Sequence, residues 1–186
     1  MLVQESLSPE TIEIIDRSDN AADVIARLSA KVSSVLGIEP DVVERATLDR
    51  ERSRTTAFTN GAAIPHCRLP GLERFAVGLM ILRQSVRWDN EGHAVDTVML
   101  IAGPSDNVSD HLRILANSSQ LLDSSALRAK LKSAPDAEAA YRLMEKAEEV
   151  VEQRRSREGM LRELRRDEHN GAAGDILAEV VAKFEW

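Results

Sequence analysis

The chain has one cysteine, Cys67, among its 186 residues. A single thiol closes no internal disulfide and supplies no multi-thiolate zinc site. Aromatic residues make up 3% of the sequence, too few to build a platform that stacks bases or sugars. Positive charge is short as well. Lys and Arg number 24 against 31 Asp and Glu, a formal net charge of −7. Such a balance does not suit a surface that neutralises phosphates along a strand, so nucleic acid is not an expected partner. Fully apolar runs such as 76–82 fall far below the ~18 residues that a membrane span requires. No basic segment followed by an apolar stretch opens the chain, so no signal peptide and no membrane insertion are expected. These absences point to a soluble cytoplasmic protein.

What is present is aliphatic and periodic. Hydrophobic residues reach 43%, which excludes disorder throughout and is enough for a core. At ~150 residues per domain, the length suits one domain with an extension. A helix is expected from about Asn20 to Leu36, with Asn20 as its cap, Asp23 in the first turn and Gly37 closing it. Val24, Ile25, Leu28, Val32 and Val35 recur at helical spacing. Pro40 opens a second helix that ends in Asp49-Arg50-Glu51-Arg52. Residues 53–60 read as a loop. Ile64-Pro65-His66 reads as a short strand or strand end that delivers His66 to a surface, because proline biases its predecessor to extended backbone.

Phe75–Leu82 and Val95–Ala102 are apolar on both alternating faces, the pattern of strands covered on both sides by helices. The residues between them allow either a short crossover or an antiparallel return. Helices are expected over about Ser109–Leu122, Ser124–Leu131 and from Pro135 onward. The expected fold is therefore α/β, a three-layer sandwich in which helices flank a mixed β-sheet. Composition shifts after Val150, giving an expected domain over 1–150 and a helical extension over 151–186. Glu152–His169 is strongly charged. Beyond a Gly171-Ala172-Ala173-Gly174 break, Ile176, Leu177, Val180, Val181 and Phe184 form a helical apolar stripe. A stripe on so short a helix must be buried to be stable, and a homodimer through 170–186 is one way to do so.

Of the four histidines, two sit where chemistry is easily presented. His66 follows the Gly/Pro-controlled segment 61–65. His111 lies in Ser109-Asp110-His111-Leu112, at an expected helix start capped by Ser109. Backbone N–H groups there attract phosphate and keep an imidazole neutral. Arg50 is a candidate partner for oxyanions. His93 reads as a turn residue and His169 as part of the charged extension.

Arg50-Glu51-Arg52, Asn60-Gly61-Ala62-Ala63-Ile64-Pro65-His66 and the later His111-Leu112, in this order and spacing, resemble the mannitol/fructose-type (type 2) enzyme IIA domains of the bacterial phosphotransferase system. The nitrogen-regulatory IIA-like proteins belong to the same group. The similarity spans roughly residues 5–148, with support from Leu69-Pro70-Gly71-Leu72 and Trp88-Asp89. It implies a phosphoryl carrier that accepts its phosphoryl group on His66 from a phosphorylated HPr-type phosphocarrier protein. His111 and Arg50 then assist, and the group passes to a IIB partner or remains as a signal to a regulated target. No metal and no cofactor is implied. The absence of any fused IIB or IIC segment favours the regulatory, nitrogen-type branch over sugar uptake. The chain departs from the family pattern at Ser53, Arg54, Ala57 and Thr59, which bears on partner choice more than on chemistry.

Two other readings are open. A module that keeps the fold and signals by protein contact alone has no need of His66, His111 and Arg50 together. A metal site on His66, His111 and Asp110 lacks a compact ligand motif. Cys67, with no resolving cysteine, reads as a packing residue.

Overall fold

The computed structural model describes the backbone of residues 3–169 and the side chains of residues 3–162. The described residues form, in chain order, five strands and five helices: β1 (Leu7–Ile15), α1 (Ala21–Leu36), α2 (Pro40–Ser53), β2 (Ala62–Ala63), β3 (His66–Leu69), β4 (Ala76–Arg87), β5 (Ala94–Pro104), α3 (Val108–Asp123), α4 (Ser125–Lys132) and α5 (Ala137–His169). The sheet is mixed, as expected. β1 pairs parallel with β4, and β4 runs antiparallel to β5. β2 and β3 follow one another along the outer edge of β5, both parallel to it.

The two apolar runs form the centre of the sheet and extend further than their apolar stretches, to Arg87 and to Pro104. The choice between crossover and return goes to the return. Trp88 N–H donates to the His93 carbonyl at 2.8 Å, and Gly92 takes a positive φ of 89°, so the chain turns back within a few residues. β1 carries no clear sequence signal. Pro9 interrupts it, and its register with β4 shifts between Leu7 and Ile12. It lies at the sheet edge, where a residue without an N–H is tolerated.

α1 forms because an apolar stripe and both caps agree. Asn20 Oδ1 accepts from Asp23 N–H at 3.0 Å, and Gly37 closes the helix at φ 71°. Val24, Ile25, Leu28 and Val32 are wholly buried, each stabilising the fold by about 1.5–3 kcal/mol. They pack with Ala76, Met80, Leu82, Val98, Leu100 and Ala102. Alternation sends Val77, Leu79, Ile81, Met99 and Ile101 to the opposite face, where α3 and α4 lie on β5 and β4. Helices thus cover both faces of the sheet.

The chain divides into two units, one ending at Glu148 and one beginning at Glu149. In the first, the buried Glu148 carboxylate accepts from Val3 N–H at 2.6 Å and Gln4 N–H at 2.9 Å. In the second, the helix surface is charged, Arg155 pairs with Glu152 at 3.1 Å, and Met160 and Leu161 are exposed. The apolar stripe at Ile176–Phe184 and the dimer expected from it lie outside the described residues.

Candidate functional site

β3 begins where Pro65 ends. The Pro65 carbonyl accepts from Ile101 N–H at 3.0 Å, and His66 stands opposite Ile101 in the sheet. Period-two alternation then sets three side chains. His66 and Arg68 face the α3 side, while Cys67 turns into the opposite layer beside Ala102 and is buried. Burial raises the Cys67 thiol above its ordinary value, and the nearby Thr47 hydroxyl only partly offsets this. The thiol is a packing group.

His66 Nδ1 lies 2.9 Å from the Ile64 carbonyl oxygen. A carbonyl only accepts, so Nδ1 carries the proton and Nε2 keeps its lone pair. Burial lowers the His66 pKa below its ordinary value. The bond to Ile64 works the other way, and the Arg50 charge adds to the lowering. The ring is a neutral imidazole with one fixed tautomer.

His111 enters from α3, 5.4 Å from His66 between ring centroids and tilted by 57°. The expected cap at Ser109 is corrected here. Asn107 caps the helix, its Oδ1 accepting from Asp110 N–H at 3.2 Å, because the helical backbone begins at Val108 and Ser109 already lies inside the first turn. His111 accordingly lies one turn inside the helix, and its N–H already donates to the Asn107 carbonyl. It is therefore the ring, rather than a free backbone N–H, that His111 offers to a ligand. Burial, then the neighbouring His66, Arg68 and Arg50, push the His111 pKa down to about 4. Its Nδ1 is buried without a hydrogen-bond partner. A buried N–H left unpaired costs more than an unpaired acceptor, so the proton belongs on Nε2. The Phe75 ring stacks on His111 at 6.1 Å and 27°. Gly103 makes room for that ring, since a Cβ there would stand 2.1 Å from Phe75.

Arg50 reaches the same cleft from the last turn of α2, with one guanidinium N–H donating to the Arg54 carbonyl at 3.0 Å. Next to it, Glu51 ties the helix end down. Its carboxylate accepts from Thr56 N–H at 2.7 Å, Thr56 Oγ1 at 2.6 Å and Trp88 Nε1 at 2.8 Å. Thr55 then donates to Asp89 at 2.6 Å. Burial opposes ionisation of Asp89, but hydrogen bonds from Thr55 and His93 outweigh it and bring its pKa to about 2. His93 thus closes the β4–β5 turn through Asp89.

The cleft holds about 650 Å³ and is lined by Arg50, His66, Arg68, His111, Val108 and Leu112 among others. His66, His111 and Arg50, far apart in sequence, all line it. Asp110 is turned to its own cap, accepting from Asn107 Nδ2 and pairing with Arg113. Among the described residues no cluster of His, Cys, Asp and Glu is arranged to hold a metal ion. Sequence reading passed over Arg68, whose signal was its i+2 position from His66 on a strand. It also passed over Phe75 and Gly103, whose roles depend on contacts across the sheet. Chemically, the cleft offers a neutral nucleophile, a second neutral imidazole beside it, and guanidinium groups for an oxyanion.

These features define an α/β protein with a paired-histidine, arginine-lined cleft at a sheet edge. The chain belongs to the family described as the phosphoenolpyruvate-dependent sugar phosphotransferase system, EIIA 2, whose family model matches residues 5–147. It is 30% identical over 145 residues to a nitrogen regulatory protein of Bradyrhizobium diazoefficiens, covering 77% of this chain and 95% of that one. A nitrogen regulatory protein of Pseudomonas aeruginosa is 36% identical over 96 residues, 51% of this chain and 62% of its own. In fold it is similar to the nitrogen regulatory protein IIA-Ntr of Neisseria meningitidis, with a TM-score of 0.70 at 18% identity, covering 76% and 98% of the two chains. IIA mannitol of Escherichia coli gives 0.63 at 19% identity over 75% and 99%. No helix among the described residues is long and apolar enough to cross a membrane.

Proposed function

We propose that this chain is a phosphoryl carrier whose acceptor is Nε2 of His66. The observation that carries the reading is the 2.9 Å contact between His66 Nδ1 and the Ile64 carbonyl, which leaves the Nε2 lone pair free within an arginine-lined cleft. The Nε2 lone pair attacks phosphorus of a donor phosphohistidine, the Nε2–P bond forms, and the donor N–P bond breaks with its electrons returning to the donor imidazole. The proton on Nδ1 stays in place, and the Ile64 carbonyl that accepts it stabilises the positive charge that the ring gains. His111 Nε2–H and Arg50 bind the transferring oxygens, the positioning and charge stabilisation on which phosphoryl transfer depends.

The donor in this reading is an HPr-type phosphocarrier protein. Val108 and Leu112, 47% and 61% exposed at the cleft, suit docking of a protein rather than of a small substrate. The acceptor is a IIB-type component or a regulated target. A IIA mannitol domain of similar fold is known in complex with phosphorylated IIB mannitol, with a TM-score of 0.64. The nitrogen-regulatory relatives favour the regulatory branch. Incubation with phosphoenolpyruvate, enzyme I and HPr, followed by intact mass, tests the reading. One acid-labile phosphoryl adduct is expected on the native chain and none on His66→Gln. Full labelling of the variant would overturn the assignment, and an unlabelled native chain would favour signalling by contact alone.

A further inference from the structure

Arg68 stands two residues beyond His66 on β3, so strand alternation puts both side chains on one face. Directly across in register lies Gly103, where the absence of a Cβ lets Phe75 pack beneath His111. The Arg68 side chain is exposed and lines the same cleft as His66, His111 and Arg50. Its guanidinium is loosely held. One N–H lies 3.5 Å from the Ser105 carbonyl, at the outer limit of a hydrogen bond. Arg50, by contrast, is committed to the Arg54 carbonyl at 3.0 Å. A phosphoryl group on His66 presents three oxygens carrying nearly two negative charges, more than one arginine fork satisfies.

We propose that Arg68 is a second phosphoryl-oxygen ligand, leaving Ser105 to bind the group on His66 from the strand side while Arg50 binds it from the α2 side. The proposal rests on the carrier reading above and names a catalytic residue for it. Arg68 itself exchanges no atom: the Nε2–P bond forms and the donor N–P bond breaks as before. Arg68 has a second effect in the site: burial is the main cause that lowers the pKa of both imidazoles and keeps them neutral, and the Arg68 charge adds to that lowering at each ring.

The test compares the native chain, Arg68→Gln and Arg68→Lys, each phosphorylated by two donors, a phosphorylated HPr-type protein and phosphoramidate. Transfer from phosphoramidate breaks its P–N bond and releases ammonia, so it reports phosphoryl chemistry without protein docking. Arg68→Gln is expected to slow labelling from both donors by about 10- to 100-fold, the worth of hydrogen bonds to a charged group. Arg68→Lys, which keeps the charge and loses the fork, is expected to recover part of that rate. Unchanged thermal unfolding of both variants shows that the fold is intact. Equal rates for Arg68→Gln and the native chain with phosphoramidate overturn the proposal, including the case in which only the protein donor is slowed, because Arg68 is then a docking contact. A native chain that neither donor labels overturns the carrier reading, and this proposal with it.

Discussion

Of the two ring nitrogens of His111, Nδ1 is buried without a partner, an arrangement that costs stability unless the ring stays neutral. Its pKa of about 4 gives that cost a pH signature. The unfolded chain titrates His111 near the usual value of about 6.5, so between about 4 and 6.5 the unfolded state binds more protons than the folded one. His66, also lowered, acts in the same direction. The stability these rings contribute is fully present above about pH 6.5 and is lost as pH falls towards 4, up to roughly 3 kcal/mol for His111 alone. Chemical unfolding of the native chain and of His111→Phe at pH 7 and pH 5 checks this, and the native chain is expected to lose more. For transfer, His111→Ala is expected to slow labelling of His66 by about 10²–10³-fold, as removal of one preorganised donor does. An unchanged rate at native stability contradicts the role given to His111.

At the scale of elements, two contacts hold the histidine pair in place. Gly103 on β5 leaves a gap for the Phe75 ring, which packs against His111. Gly103→Ala puts a methyl group 2.1 Å from that ring, an overpacking that costs about 1–3 kcal/mol and displaces His111. A fall in melting temperature together with slowed labelling is expected, and Phe75→Leu in the same chain is expected to restore stability. Glu51 does comparable work for Arg50. Glu51→Ala orphans the Thr56 N–H and the indole N–H of buried Trp88, at about 1–3 kcal/mol. The α2 end then loosens, and transfer is expected to slow although Glu51 touches no phosphoryl oxygen. Measuring kcat against KM for the phosphorylated donor separates this from a docking defect, since misplacement of Arg50 is expected to act on kcat.

For the whole molecule, stability is concentrated where the sheet is covered on both faces. β4 and β5 supply Val77–Leu82 and Val98–Ala102, nearly all wholly buried. Hydrogen exchange is expected to find these two segments the most protected of the chain. Rapid exchange in both contradicts the packing described. The N-terminal segment is tied to α5 through the Glu148 carboxylate. Glu148→Ala leaves the Val3 and Gln4 N–H groups without their acceptor and is expected to cost about 1–3 kcal/mol. A chain ending at Val150 keeps this clamp and is expected to fold, with its melting temperature as the measure.

Much of this protein is decided locally, and that part was legible in the sequence. Asn20, Gly37 and the apolar stripe between them specify α1 because capping and amphipathicity act within a few residues. Pro65 delivers His66 at a strand end for the same kind of reason, and two-sided apolar runs announce central strands because period-two burial needs no knowledge of the partner. The motif around His66, with Arg50 and His111 at their spacing, carried the family. The rest depends on neighbours distant in the chain. β1, interrupted by Pro9, is a strand only because β4 offers it an edge to pair with. The helix cap fell to Asn107 rather than Ser109 through geometry that both residue types could have supplied. The free nitrogen of His66 is decided by the Ile64 carbonyl just before it, and the pKa of His111 by burial beside Phe75 and by charges from α2 and β3. Residue types and their periods determine which side chains are available. Which of their atoms are left unpaired, neutral and facing one another is decided by tertiary packing, because desolvation and hydrogen-bond partners come from elements that are remote in sequence.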